Sequence, residues 1–453
     1  MNTPPSGRYD PPGGLQPPRR HWALAGLWLG MAMSALDSSI ANIALPTIGH
    51  DLGVLPAKTT WVVTAYQIAV VMALLPVAAL GERIGYHRVY QGGMVLFTLM
   101  SLGCSVAPTL EFLAACRFAQ GLGAAAMMGV NGVQMRVTWP PDRLARGIGY
   151  NTLVVSFTAA AGPGLAGLVL SIADWPWLFL INIPAGLVAF LLVHRFGPRN
   201  APVSVRFDGW GSVLNAVMFG ALFLAVSEGV HGGLSIWLMT MAAIGIGAGF
   251  LLLRHVRFDP RPLIPLDLIR IPRMRRAYGA SICAFAAQMC LLIALPFLLE
   301  GHLDLSVATV GLLILPFPIG VALTSPLAGR HADKHWAGLM SAGGLMLMAG
   351  VLIMLAIVIT KGLAEPLIGF AMALCGIGYG LFQVPNNNVM LRNAPLDRAG
   401  AAAGMLAQCR LVGQTVGALI AALMMHLTGQ SNPVALFAAS ALAGLAGLFA
   451  LRR

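Results

Sequence analysis

Two residues of opposite charge stand in this sequence where charge is expensive. Asp37 and Arg117 lie inside long apolar runs, near 22–45 and 112–135. Asp37 is about fifteen residues into its run, roughly 22 Å at the helical rise per residue, and Arg117 is roughly 8 Å from the far end of its own. If consecutive runs cross a layer about 30 Å thick as helices, the two residues reach a similar depth. Charges at such depth face a cavity or a partner. Two chemistries are open to the pair: a static ion bridge between helices, or a carboxylate that takes up and releases a proton beside a guanidinium that tunes it. A third buried charge, Arg410, falls near the middle of the run at 402–426, and the neighbouring runs offer it no acid. It has either a structural use, bonded to carbonyls or to amides such as Gln414, or a functional one.

Other chemistries find no support. There is no Gly-x-x-x-x-Gly-Lys-Ser/Thr loop, and the only lysines are Lys58, Lys334 and Lys361. No His-Glu-x-x-His pattern marks a metal site. The six cysteines sit in or beside apolar runs without Cys-x-x-Cys spacing and read as small core residues. No cofactor is expected, and neither a primary pump nor an enzyme is indicated.

The elements that must position these charges are membrane helices. The 453 residues are 58% hydrophobic and only 10% charged, with a mean hydropathy of +0.79, against about 25% charged in soluble domains. Spans fall near 22–45, 58–80, 88–107, 112–135, 147–171, 177–194, 209–227 and 234–253, then near 277–299, 306–328, 336–359, 365–389, 402–426 and 433–450. That count of fourteen is tested by loop charge. Of 28 Lys and Arg, 24 fall on one side, only Lys58 and Lys361 on the other, and Arg117 and Arg410 within spans. By the positive-inside rule both termini are expected in the cytoplasm. The net charge of +12 therefore reflects topology, and no nucleic-acid partner is expected.

The chain also repeats itself. Gly121-Leu122-Gly123 through Asn131 to Arg136 parallels Gly376-Ile377-Gly378 through Asn386 to Arg392, and Gly149 and Gly162 share their spacing with Gly404 and Gly417. In this alignment Arg410 matches the apolar Val155. The expected organisation is a disordered tail at 1–20, a six-helix bundle at 21–196, an inserted helix pair at 197–254, a linker at 255–274, and a second six-helix bundle at 275–453. The stretch 254–276 reads as a plain linker or as an amphipathic surface segment on anionic lipid. Two related bundles suit alternating access about a midplane site.

Three segments carry a family resemblance. Leu36-Asp37-Ser38-Ser39-Ile40-Ala41-Asn42-Ile43-Ala44-Leu45-Pro46, Trp61-Val62-Val63-Thr64-Ala65-Tyr66 and Trp175-Pro176-Trp177-Leu178-Phe179-Leu180-Ile181-Asn182-Ile183-Pro184 resemble signatures of the major facilitator superfamily, in its fourteen-span drug:proton antiporter branch. Gly81-Glu82-Arg83-Ile84-Gly85-Tyr86-His87-Arg88 resembles the superfamily's acid-and-arginine loop, with Glu82 for Asp and with Tyr86 and His87 at basic positions. Arg117 through Gly121 resembles its Arg-x-x-x-Gly motif. Gly162-Pro163-Gly164-Leu165-Ala166-Gly167 resembles the antiporter pattern Gly-Pro-x-x-Gly-Gly, with Ala166 in place of a Gly.

The resemblance implies an all-α polytopic fold of two pseudo-symmetric six-helix bundles plus an inserted pair. It implies proton-coupled export of small amphipathic, cationic compounds across the inner membrane, with transport of one endogenous metabolite as the alternative. Asp37 would carry the proton beside Arg117, with a cationic substrate competing for the carboxylate. Glu82, Arg83, Gly85 and Arg88 would form a conformational latch, and Gly162, Pro163 and Gly167 the antiporter motif. Asn42, Tyr66, Gln288 and Arg410 are candidates for a cavity lining. The expected partners are the lipid bilayer, protons and a small-molecule substrate, and a monomer is the expectation.

Overall fold

A computed structural model describes residues 13–54, 56–199, 207–232, 235–256, 265–305, 307–331, 337–362, 365–395, 398–429 and 432–452. Most of the expected tail and the centres of the loops at 195–208 and 254–276 lie outside the described residues. So do the side chains of Asn42 and Pro163.

Within a hydrocarbon layer each backbone N–H and C=O must find its partner inside the protein, which leaves continuous helix as the economical solution for apolar runs. The helices are α1 (Arg19–Asp51), α2 (Trp61–Ile84), α3 (Tyr86–Ser105), α4 (Leu110–Thr138), α5 (Leu144–Ile172), α6 (Asn182–Phe196), α7 (Gly209–Gly232) and α8 (Ile236–Val256). They continue as α9 (Pro272–Leu303), α10 (Pro316–His331), α11 (Ala337–Thr360), α12 (Glu365–Arg392), α13 (Ala399–Thr428) and α14 (Val434–Leu451). Short helical leaders precede α6 and α10, at Pro176–Leu180 and Val307–Ile314. Among the described residues there is no strand.

Eleven of the described helices are long and apolar enough to cross a membrane, and twelve if α5, bent by 44° between Gly162 and Gly164, is one span. Helices α3 and α7 occupy the places of the third and seventh expected spans. Polar residues such as His87, Arg88 and Gln91 dilute the apolarity of α3, and only Gly209–Ala225 of α7 qualifies, as a shorter apolar helix.

Local chemistry sets several boundaries. Thr109 caps α4 by accepting a hydrogen bond from the Phe112 N–H at 3.3 Å. Gly85 separates α2 from α3 at φ +99°, a conformation that disfavours any side chain.

The described chain forms two compact units. The first comprises Met1–Pro141, Ala161–Leu266 and Ala394–Ala407, and the second Asp142–Ala160, Asp267–Asn393 and Gln408–Arg453. Within the first, α4 packs closely on α2 and α3, and α7 lies on α2 with α8 beyond it. A Cβ at Gly121 would stand 2.5 Å from the Tyr66 carbonyl oxygen, so the α2–α4 approach at this level requires glycine. The core of the second unit is aliphatic and aromatic, centred on Phe285, Leu291, Phe317, Leu345, Leu352, Tyr379 and Phe382.

Candidate functional site

Five helices of the first unit, or the segments leading into them, converge on Asp37. The carboxylate, on α1, is 3% exposed, and Arg117, on α4, is fully buried. Arg117 Nη1 donates to Asp37 Oδ2 in a short ion pair and to Gln120 Oε1 at 2.6 Å, while its Nε donates to the Val62 carbonyl on α2 at 2.9 Å. The other carboxylate oxygen, Oδ1, accepts from Gln120 Nε2 at 2.9 Å and from Asn182 Nδ2, at the start of α6, at 3.0 Å. Gln120 also donates to Ser101 Oγ on α3 at 2.8 Å. The guanidinium carbon lies 4.5 Å from the Tyr66 ring centroid and 5.6 Å from that of Phe179. Tyr66 itself shares a 3.0 Å hydrogen bond with Ser34.

Both oxygens of Asp37 are thus engaged, and the charge is matched inside the unit. A deep ion pair is favoured when its other polar atoms are also bonded. Gln120, Asn182, Ser101 and Val62 supply most of that shell, while Arg117 Nη2 has no hydrogen-bond partner among the described residues. In this arrangement a cationic head group finds no open carboxylate at Asp37. Protonating Asp37 removes the charge that Arg117 pairs with and one acceptor position, so the ties from α1 to α4 and α6 weaken together.

The antiporter-like segment meets the same level. A Cβ at Gly162 would lie 2.5 Å from Ser39 Oγ, two residues from Asp37, so α5 and α1 touch there through glycine. Gly167 is exposed with open space beside it.

At the arginine-rich end, Glu82 is buried and its Oε1 accepts the Ala401 N–H at 2.9 Å, in the first turn of α13. A carboxylate there satisfies an orphan amide and meets the positive end of the helix dipole. Arg136 Nη2 donates to the Ala394 carbonyl just before the same helix at 2.9 Å. Arg83 and Arg88 are exposed. The proton affinity of His87, which precedes the apolar stretch of α3, is lowered to about 4 by burial and by the nearby positive charges of Arg199 and Arg19. A basic position of the family loop is here a neutral imidazole.

Of the cavity candidates, Tyr66 belongs to the charge network, the Asn42 side chain lies outside the described residues, and Gln288 and Arg410 are half-buried in the second unit. Gln120, Asn182, Ser101 and Phe179 were not singled out by sequence. Their signal was present, since Gln120 stands in the Arg117 motif and Asn182 and Phe179 in the Trp175 segment.

A polytopic helical bundle around a buried ion pair is the architecture of a membrane transporter. The family model of the Major Facilitator Superfamily matches residues 27–418, and the chain belongs to that superfamily. It is similar to "Uncharacterized transporter YebQ" of Escherichia coli (strain K12), 42% identical over 96% of this chain and 95% of the relative. It is similar to "Multidrug resistance protein Stp" of Mycobacterium tuberculosis, 34% identical over 86% of this chain and 73% of the relative. A third relative, "Riboflavin transporter RibZ" of Clostridioides difficile (strain 630), is 31% identical over 86% and 84%.

Proposed function

We propose that this protein is a proton-coupled antiporter that exports small amphipathic organic compounds across the inner membrane, with both termini in the cytoplasm. The observation that carries this reading is the Asp37 network. A carboxylate on α1 tied to α4 and α6 through one ion pair and two amide donors is a two-state element that a single proton can release. Proton binding from outside would loosen α1 from α4 and α6, and proton loss to the cytoplasm would restore the ties. Glu82 on the α13 amide supports a latch that biases the same exchange. Segregation of loop arginines supports the orientation, and bacterial relatives, one named for multidrug resistance, support the location and the export of foreign compounds.

The test uses purified full-length protein in proteoliposomes with an imposed pH gradient. Wild type is expected to show gradient-driven movement of amphipathic dyes and Asp37→Asn to bind substrate yet lose the response to the gradient. Gradient-driven transport that survives Asp37→Asn would refute the assignment of the proton to this residue. A response to one compound only, related to none of the others, would favour a single-metabolite carrier.

A further inference from the structure

The charge balance of the second unit is incomplete. Arg410 sits on α13 roughly 17 Å from the helix start, which is mid-membrane by the helical rise. Its neighbour is aromatic: the guanidinium carbon is 5.9 Å from the Phe285 ring centroid on α9. Phe285 meets Tyr379 of α12 at 5.7 Å between centroids, and Tyr379 meets Phe317 of α10 at 5.9 Å. Tyr379 is 1% exposed, and its hydroxyl has no hydrogen-bond partner among the described residues.

No oxygen among the described residues accepts a hydrogen bond from Arg410, and no carboxylate pairs with it. The sequence explains why: the six apolar runs at 277–299, 306–328, 336–359, 365–389, 402–426 and 433–450 contain no Asp or Glu except Glu365, at the very start of its run. Arg117 shows what this protein does with a resident buried arginine, which is to surround it with a carboxylate, an amide and a carbonyl. Arg410 has the cost of the same charge without that shell. It is half-buried. Gln414 stands one helical turn along the same face of α13, and Gln288, also half-buried, one turn from Phe285 on α9.

We propose that Arg410 recognises an anionic group of the transported compound, and that the substrate is an amphipathic aromatic monoanion, a carboxylate first of all. The fork of the guanidinium matches a carboxylate bidentately. A monoanion brings the site to neutrality at mid-membrane, whereas a dianion would leave a net charge there. The proposal rests on the exporter reading above for the direction of transport, and it replaces the expected cationic head group, for which Asp37 offers no free oxygen.

Binding is read first, on detergent-purified full-length protein, by thermal shift and ligand titration with three probes that share one ring system: 2-naphthoate, its methyl ester, and a naphthyl-trimethylammonium ion. The carboxylate is expected to bind and to stabilise. Arg410→Gln is expected to weaken it by roughly 10–100-fold, the worth of a charged hydrogen-bonded pair, with Arg410→Lys between, and neither variant should alter the response to the ester. Absence of a response to naphthoate, a stronger response to the ammonium probe, or equal loss for ester and carboxylate in Arg410→Gln would each overturn the proposal. Failure of the exporter reading looks different: naphthoate would bind in an Arg410-dependent way, yet no probe would move with the pH gradient in proteoliposomes.

Discussion

At the residue scale, this protein treats its two deep arginines in opposite ways, and each way predicts a stability result. The Asp37 carboxylate is held by Arg117, Gln120 and Asn182 at once, so removing either amide strands part of a buried charge. Gln120→Ala and Asn182→Ala are each expected to lower the unfolding free energy by about 1–3 kcal/mol. The double variant should deviate from additivity by roughly 0.5–3 kcal/mol, because both donors serve one oxygen. Thermal unfolding in detergent of the four proteins reads the cycle, and strict additivity would mean that the two amides act independently. Arg410 should behave in reverse. With no acceptor among the described residues to lose, Arg410→Met replaces an uncompensated charge by a flexible apolar chain and is expected to raise the melting temperature. A fall would mean that the guanidinium is bonded structurally.

At the scale of elements, the packing of α5 on α1 separates the glycines of the antiporter-like segment. Gly162 touches Ser39 so closely that any side chain must displace it, while Gly167 faces open space. Gly162→Val is therefore expected to impair transport, with partial recovery in the Gly162→Val, Ser39→Gly double variant. Gly167→Val is expected to be tolerated. Equal effects at both positions in a transport assay would show that composition, not contact, matters here. The α13 N-terminus offers a second element-scale test. Glu82→Gln keeps the shape but removes the charge facing the helix end, worth about 0.3–1 kcal/mol. Amide hydrogen exchange should quicken in the first turn of α13, at Ala401 above all, and stay unchanged in α14.

At the scale of the whole molecule, His87 links stability to pH. It is held neutral, its proton affinity lowered from about 6.5 in the unfolded chain to about 4 in the folded one. Because the unfolded chain binds the proton first, the stabilisation is complete above pH 6.5 and is lost progressively as pH falls towards 4. His87→Gln is expected to flatten that acid limb of a melting-temperature profile while leaving the profile above pH 7 unchanged.

The sequence by itself determined the class, the helix positions and the location of the costly charges. Apolar runs, loop arginines and internal repeats are local or nearly local signals, and a membrane forces them into helices because nothing else satisfies the backbone there. Asp37, Arg117, Glu82, Gly85 and Gly162 could be picked out because each breaks a local rule: a charge in an apolar run, or a glycine in a signature turn or contact. Gln120 and Asn182 break none. Polar amides inside helices are ordinary in a sequence, and only the convergence of α1, α4 and α6 turns these two into the donors that occupy Asp37. Likewise Arg136, and not Arg83 or Arg88, reaches the segment before α13, because helix phase decides which arginines face inward. The same holds for Arg410. Its sequence shows a charge without an acid nearby, but only tertiary packing shows that aromatic rings adjoin it and that no described oxygen comes within reach, since hydrogen bonding depends on distances the linear chain does not contain.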